Sequence, residues 1–216
     1  MADRSSLQIA PGFLGSLQGY VLASLDAEAA TVIGLWPDGR IALLNSAWTT
    51  FAELNSGEAT LRRWGLGASL LSAVSGPLHD YYERAFASVR RDGDTFEQTY
   101  SCHSGSCERE YRLHVHALTG GSLLLMHTLI VTLPLARTAA EALTWTRYVD
   151  VQGLVHQCSN CRRVRRASDV TAWDWVAELV EHPASNTSHG ICSVCCGRYY
   201  AELGNSAGAP AHWRPA

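Results

Sequence analysis

The sequence predicts an α+β fold: a five-stranded antiparallel sheet with helices on one face, then a small cysteine-bearing module. Three observations predict it. Two strand-like segments come first and three come last, with the helical segments grouped between them. Short glycine turns join neighbouring strands, which suits antiparallel pairing. Two C-x2-C pairs, Cys158-Ser-Asn-Cys161 and Cys192-Ser-Val-Cys195, stand beyond the last strand.

Taken in order, residues 1–12 are polar and expected to be loose. Phe13 to Ala29 has apolar residues at helical spacing and reads as a helix despite Gly15 and Gly19. Thr31–Trp36 is a strand, Pro37-Asp-Gly-Arg40 a turn, and Arg40–Leu44 the second arm of a hairpin. Asn45-Ser46 can cap a helix over Ala47–Leu54. A glycine-containing stretch leads to a short helix near Ala68–Val74, and Pro77 opens a long helix to about Arg91. Three strands follow, over Thr95–Cys102, Glu108–Leu118 and Ser122–Leu133.

Composition narrows the function. At 216 residues the chain has room for one ordinary domain and a small one. A net charge of −3 argues against bulk nucleic-acid binding. The start, Met-Ala-Asp-Arg-Ser-Ser, has no apolar leader. The most apolar run, Ser122 to Ala136, contains His127 and Pro134 and falls short of a membrane span. A cytoplasmic location without membrane attachment is therefore expected. In a reducing compartment the seven cysteines would be thiols or metal ligands.

The C-x2-C spacing lets one tight turn aim two thiolates at a point, and two such turns complete a tetrahedral S4 site. Cys158, Cys161, Cys192 and Cys195 are the expected ligands of a structural zinc, whose binding would help fold the module. His189 and His156 are the alternative or supporting groups, and Gly190 is expected to take positive φ at the second pair. Cys196 reads as a bystander. The run Arg162-Arg-Val-Arg-Arg166 reads first as a solvated face offsetting the negative metal centre, and second as a phosphate patch. Trp173–Val180 reads as an amphipathic helix. Cys102 and Cys107 bracket a hairpin tip, either as two separate thiols or as a redox pair. No nucleophile elbow, metal-hydrolase motif or phosphate loop is present, so no enzymatic activity is expected.

The first part resembles a PAS domain. The resemblance rests on Ile33-Gly-Leu-Trp-Pro-Asp-Gly-Arg-Ile-Ala-Leu-Leu-Asn45, Ala47-Trp48, Pro77-Leu-His-Asp-Tyr-Tyr-Glu-Arg-Ala-Phe86 and the three closing strands. The second part is similar to a cysteine segment found beside PAS domains in bacterial signalling proteins. It is carried by Tyr148–Arg165, Trp173-Asp-Trp175-Val and Ser188-His-Gly-Ile-Cys192-Ser-Val-Cys195. The resemblance implies sheet order 2-1-5-4-3 and a sensory or adaptor role in bacterial signal transduction. It also implies a small-molecule ligand in the PAS pocket, a protein partner such as a kinase or regulator, and a homodimer. Haem and flavin come only with the family; His79 and His127 are the candidate haem ligands. The expected segments are 1–29 as a flanking helix, 30–133 as the PAS-like domain and 134–148 as a helical connector. A zinc module over 149–203 and a tail over 204–216 complete them. The competing readings are a nucleic-acid-binding regulator using Arg162–Arg166, and a thiol redox sensor using Cys102 and Cys107.

Overall fold

A hairpin turn built on Pro37-Asp-Gly organises the first strands. In the computed structural model, which describes residues 7–55, 57–104, 107–134 and 145–205, Gly39 takes φ 81°. Asp38 Oδ1 accepts from Arg40 N at 3.0 Å. This joins β2 (Thr31–Leu35) to β3 (Ile41–Leu44), with Ile33 opposite Leu44 and Gly34 opposite Leu43. Two compact units divide the chain. The first takes in residues up to Val74 with Tyr81–Gln98 and Tyr111–Leu129; the second takes in Ser75–Asp80, Thr99–Glu110 and residues from Ile130 onward.

The main sheet has six strands rather than the expected five. Its order is β1-β3-β2-β6-β5-β4, where β4 is Phe96–Ser101, β5 is Cys107–Ala117 and β6 is Leu123–Pro134. The added strand, β1 (Gln8–Ile9), pairs antiparallel with β3 inside the segment expected to be loose. Two residues are too few to leave a periodic signal, and Ile9 gains burial in the core beside Leu43. Without β1, the five longer strands follow the order 2-1-5-4-3.

The single helix expected over Phe13–Ala29 is a 3-10 turn at Phe13–Ser16 and a short α1 at Leu22–Ala27. Gly19, at φ 87°, breaks the run in a conformation that a helix cannot hold. These pieces cover a sheet face expected to be open. Phe13, Leu17 and Leu25 form a buried cluster with Val32, Ala42, Leu43 and Leu124. The Phe13 ring lies so close to Gly34 that a Cβ there would collide with it and would stand 2.8 Å from Leu43 Cβ. By strand alternation Ile33 and Leu35 lie on the opposite face. The unbroken apolar run of β2 thus reflects cover on both faces.

On that second face lie α2 (Ser46–Leu54), α3 (Glu58–Arg63), a 3-10 turn at Leu70–Ala73 and α4 (Pro77–Asp92). Buried Tyr82, Phe86 and Val89 follow the helical period of α4. Tyr81 donates its hydroxyl to Gln98 Oε1 at 2.6 Å, beneath edge-on contacts with Tyr82 and Phe96. Leu35, Leu71, Phe86 and Arg90 help line a shallow recess of about 160 Å³.

The second unit holds a four-stranded sheet in the order β10-β7-β8-β9. Its strands are β7 (Val155–Cys158), β8 (Val164–Arg165), β9 (Trp173–Asp174) and β10 (Thr187–Gly190). Tyr148, Val155, Val164 and Leu179 make its small core. The helix expected from Trp173 starts only at α5 (Ala177–Glu181), because Trp173 and Asp174 pair with β8. Two helices close the unit, α6 (Ser193–Tyr199) and α7 (Ala201–Asn205). Most of the expected connector, residues 135–144, and most of the expected tail, residues 206–216, lie outside the described residues. Among the described residues no helix is long and apolar enough to cross a membrane.

Asn45 ties the first unit together. It is fully buried and uses both ends of its amide. Oδ1 accepts from Val32 N at 3.0 Å and from Trp48 N at 3.2 Å, capping α2. Nδ2 donates to Ala30 O at 2.9 Å and Leu25 O at 3.2 Å. One side chain therefore joins α1, the start of β2 and α2. Replacing it by alanine strands buried groups on both sides. Asn45→Ala is expected to cost about 2–4 kcal/mol. Urea unfolding measures it, as a lower midpoint at unchanged slope.

Candidate metal centre

Cys158 closes β7, and the chain turns sharply to Cys161. Arg162 N bonds Cys158 O at 3.0 Å and Cys158 N bonds Arg163 O at 2.9 Å, closing the knuckle. The turn needs a left-handed residue, and Arg162 supplies it at φ 65°, the one non-glycine residue with positive φ among those described. Gly190, expected to play such a part, is an ordinary strand residue opposite Cys158. At the second pair, Cys192 is the N-cap of α6, and its sulfur accepts from Cys195 N at 3.4 Å. The second knuckle is therefore a helix start and needs no special glycine.

The four sulfurs lie within 4.8 Å of one another and all four residues are buried. Cys161 Sγ and Cys192 Sγ are 3.8 Å apart. Metal–sulfur bonds of about 2.3 Å in a tetrahedron put neighbouring sulfurs about 3.8 Å apart, so the group fits a metal ion. Further donors point at the sulfurs: Cys192 N reaches Cys158 Sγ at 3.4 Å and Asn160 Nδ2 reaches Cys195 Sγ at 3.3 Å. Burial pushes the Cys158 thiol up, but hydrogen bonds from the three other thiols bring it well below the usual thiol range. Cys161, which donates to Cys158, is held far above that range. The thiols alone share negative charge unevenly; a cation lets all of them ionise.

Asn160 is the residue that sequence reasoning missed. It is buried, and besides Cys195 it meets Ser101 twice: Ser101 N donates to Oδ1 at 3.0 Å and Nδ2 reaches Ser101 Oγ at 3.2 Å. Tyr200 OH donates to the same Oδ1 at 3.2 Å. The loop before α4 also packs backbone to backbone here. Gly76 has φ 64°, and a Cβ on it would stand 2.7 Å from His189 O and 2.9 Å from Ser159 Oγ. Asn160 lies inside the motif, but its partner Ser101 lies 59 residues away in sequence, so only the fold reveals the link.

The other predicted residues fall elsewhere. His156 Nε2 bonds Asp150 Oδ2 at 2.7 Å, and His189 sits half-buried on β10; neither joins the four sulfurs. Cys196 is fully buried, with its sulfur toward Tyr200 O at 3.6 Å. Cys102 and Cys107 are free thiols. Burial raises the Cys102 thiol above its ordinary range, and Cys107 Sγ contacts Ser104 Oγ at 3.1 Å. Between them, His103 Nδ1 accepts from Arg109 N at 3.0 Å and its ring meets Trp175 edge-on. His79 sits on the first turn of α4 beside Asp80. His127 lies on β6 opposite Thr31, where burial lowers its imidazole to about 4 and keeps it neutral.

Two of the four arginines of the run, Arg163 and Arg166, meet carboxylates within their own unit. Arg166 makes a two-pronged contact with Asp174 at 2.7 and 2.7 Å, and Tyr148 OH joins the same carboxylate at 3.0 Å. Arg163 approaches Glu108 at 3.8 Å. Compared with known proteins, the chain matches no family model and no curated protein.

Asn160→Leu is expected to weaken metal binding by about 10- to 100-fold, because it frees the Cys195 sulfur and leaves Ser101 N unpaired. Competition with a chromogenic chelator reads this directly. A second expectation concerns Asp150. The N–H of Leu154, then His156, draw its carboxyl from 3.8 down to about 2. A depressed carboxyl stabilises the fold above its unfolded value and loses that contribution as pH falls from about 4 to about 2. The melting-temperature gap between wild type and Asp150→Asn should therefore hold at neutral pH and close across that acid window.

Proposed function

We propose that the chain is a non-enzymatic PAS-type sensor or adaptor of bacterial signal transduction, with zinc held by Cys158, Cys161, Cys192 and Cys195. The observation that carries this reading is the strand order 2-1-5-4-3, with the helices α2 to α4 inserted between the second and third strands of that set. Two buried polar atoms on α2 support a ligand role: Trp48 Nε1 and Thr49 Oγ1 are shielded from solvent and have no hydrogen-bond partner. A ligand bearing acceptor atoms would satisfy the indole N–H and the hydroxyl. Soft thiolate ligands favour zinc, and a closed S4 set leaves no position for substrate, which supports a structural metal. The downstream protein partner and the cytoplasmic setting belong to the same proposal. The carboxylate partners of Arg163 and Arg166 count against the nucleic-acid reading.

The test is native mass spectrometry of full-length protein purified without added metal or ligand. The expected spectrum carries one zinc per chain and a non-covalent small molecule. Cys192→Ser should lose the zinc, and Thr49→Val with Trp48→Phe should lose the small molecule while keeping the zinc. A metal-free chain with four alkylatable thiols overturns the zinc centre. A small molecule that stays bound in the double variant overturns the ligand role of Trp48 and Thr49.

A further inference from the structure

The sheet has an unprotected edge in its interior. β2 pairs with β6 only as far as Thr31, opposite His127. β6 runs on to Pro134, and among the described strands none lies on its β2 side beyond that point. The overhang, residues 128–134, reads Thr-Leu-Ile-Val-Thr-Leu-Pro and carries no charge. It is exposed on both faces, with Leu129 at 48%, Ile130 at 47% and Leu133 at 54%. β-branched and apolar residues on an open strand are a template for further pairing.

The outer edges of the same sheet are managed differently. β1 is two residues long, and β4 bears Glu97, paired with Arg112 at 3.3 Å. Shortness and charge are the usual ways to block edge pairing. The β6 overhang has neither.

We infer that two copies of the chain associate by pairing this overhang with itself, antiparallel, about a two-fold axis through Ile130. That register sets Thr128 against Thr132 and Leu129 against Val131 of the second copy, so like meets like in each of these pairs; Leu133 and Pro134 leave the ladder there, because His127 and Met126 already face Thr31 and Val32. A charged foreign strand would find no opposite charge here, whereas the identical strand needs none. One such edge among the described strands gives an isologous contact that closes at two copies.

Sedimentation velocity of the full chain tests the inference. Wild type is expected to be a dimer at tens of micromolar. Ile130→Lys and Ile130→Glu should each sediment as monomers, since each sets two like charges face to face, with unchanged far-UV circular dichroism. An equimolar mixture of the two variants should recover the dimer, which a misfolded variant could not do. A monomeric wild type, a dimer that persists in either variant, or a mixture that stays monomeric would overturn the inference.

Discussion

Four sulfurs held within 4.8 Å in a buried place form the constraint on which the second unit depends. Thiolates so close repel, and burial removes the water that would screen them. The chain invests heavily in gathering them. It bends Arg162 into a left-handed conformation that costs an L-residue about 1–2 kcal/mol. It starts α6 on Cys192 instead of a better cap. It aims an amide and two backbone N–H groups at the sulfurs. Such preparation suits a site that binds a cation and closes around it, and the small core around Tyr148 and Leu179 would gain most from that closure.

Each unit turns on one buried asparagine. Asn45 accepts two backbone N–H groups and donates to backbone carbonyls of the α1–β2 connection. Asn160 accepts from Ser101 N and Tyr200 OH and donates to Ser101 Oγ and Cys195 Sγ. An amide suits these positions because it both donates and accepts without charge; a carboxylate would face carbonyls in one unit and a thiolate in the other. These side chains fix segments that hydrophobic burial alone would leave free to slide.

The parts legible in the sequence are those with local causes. The hairpin at Asp38-Gly39, the Asn45 cap and the cysteine pairs depend on neighbours a few residues away. The misread parts depend on distant pairing. Trp173 looks helical by its spacing, yet the edge of β8 draws it into a strand. Ile9 sits in a polar stretch, yet β3 and the Phe13 cluster give it a place. Gly190 reads as the turn residue of the second cysteine pair, but that pair is a helix start on Cys192, and the positive φ falls on Arg162 at the first pair. The apolar run of β2 did carry a legible sign of two-sided burial, since it lacks the alternation of a half-exposed strand.

Strand β4 brings these threads together. Gln98 near its middle accepts the buried hydroxyl of Tyr81, a bond inside the first unit. Ser101 at its end is held by Asn160, a bond inside the second. The two anchors stand three residues apart on one strand, a span of about 10 Å. A strand so short is stiff along its axis, and the Asn160 amide is fully used by Ser101, Tyr200 and Cys195. Moving Ser101 by an ångström breaks the bond that orients Asn160 toward the Cys195 sulfur, and loss of that sulfur's partner loosens Ser101 in turn. Through Asn160 the metal knuckle therefore sets the position of Ser101 within the second unit.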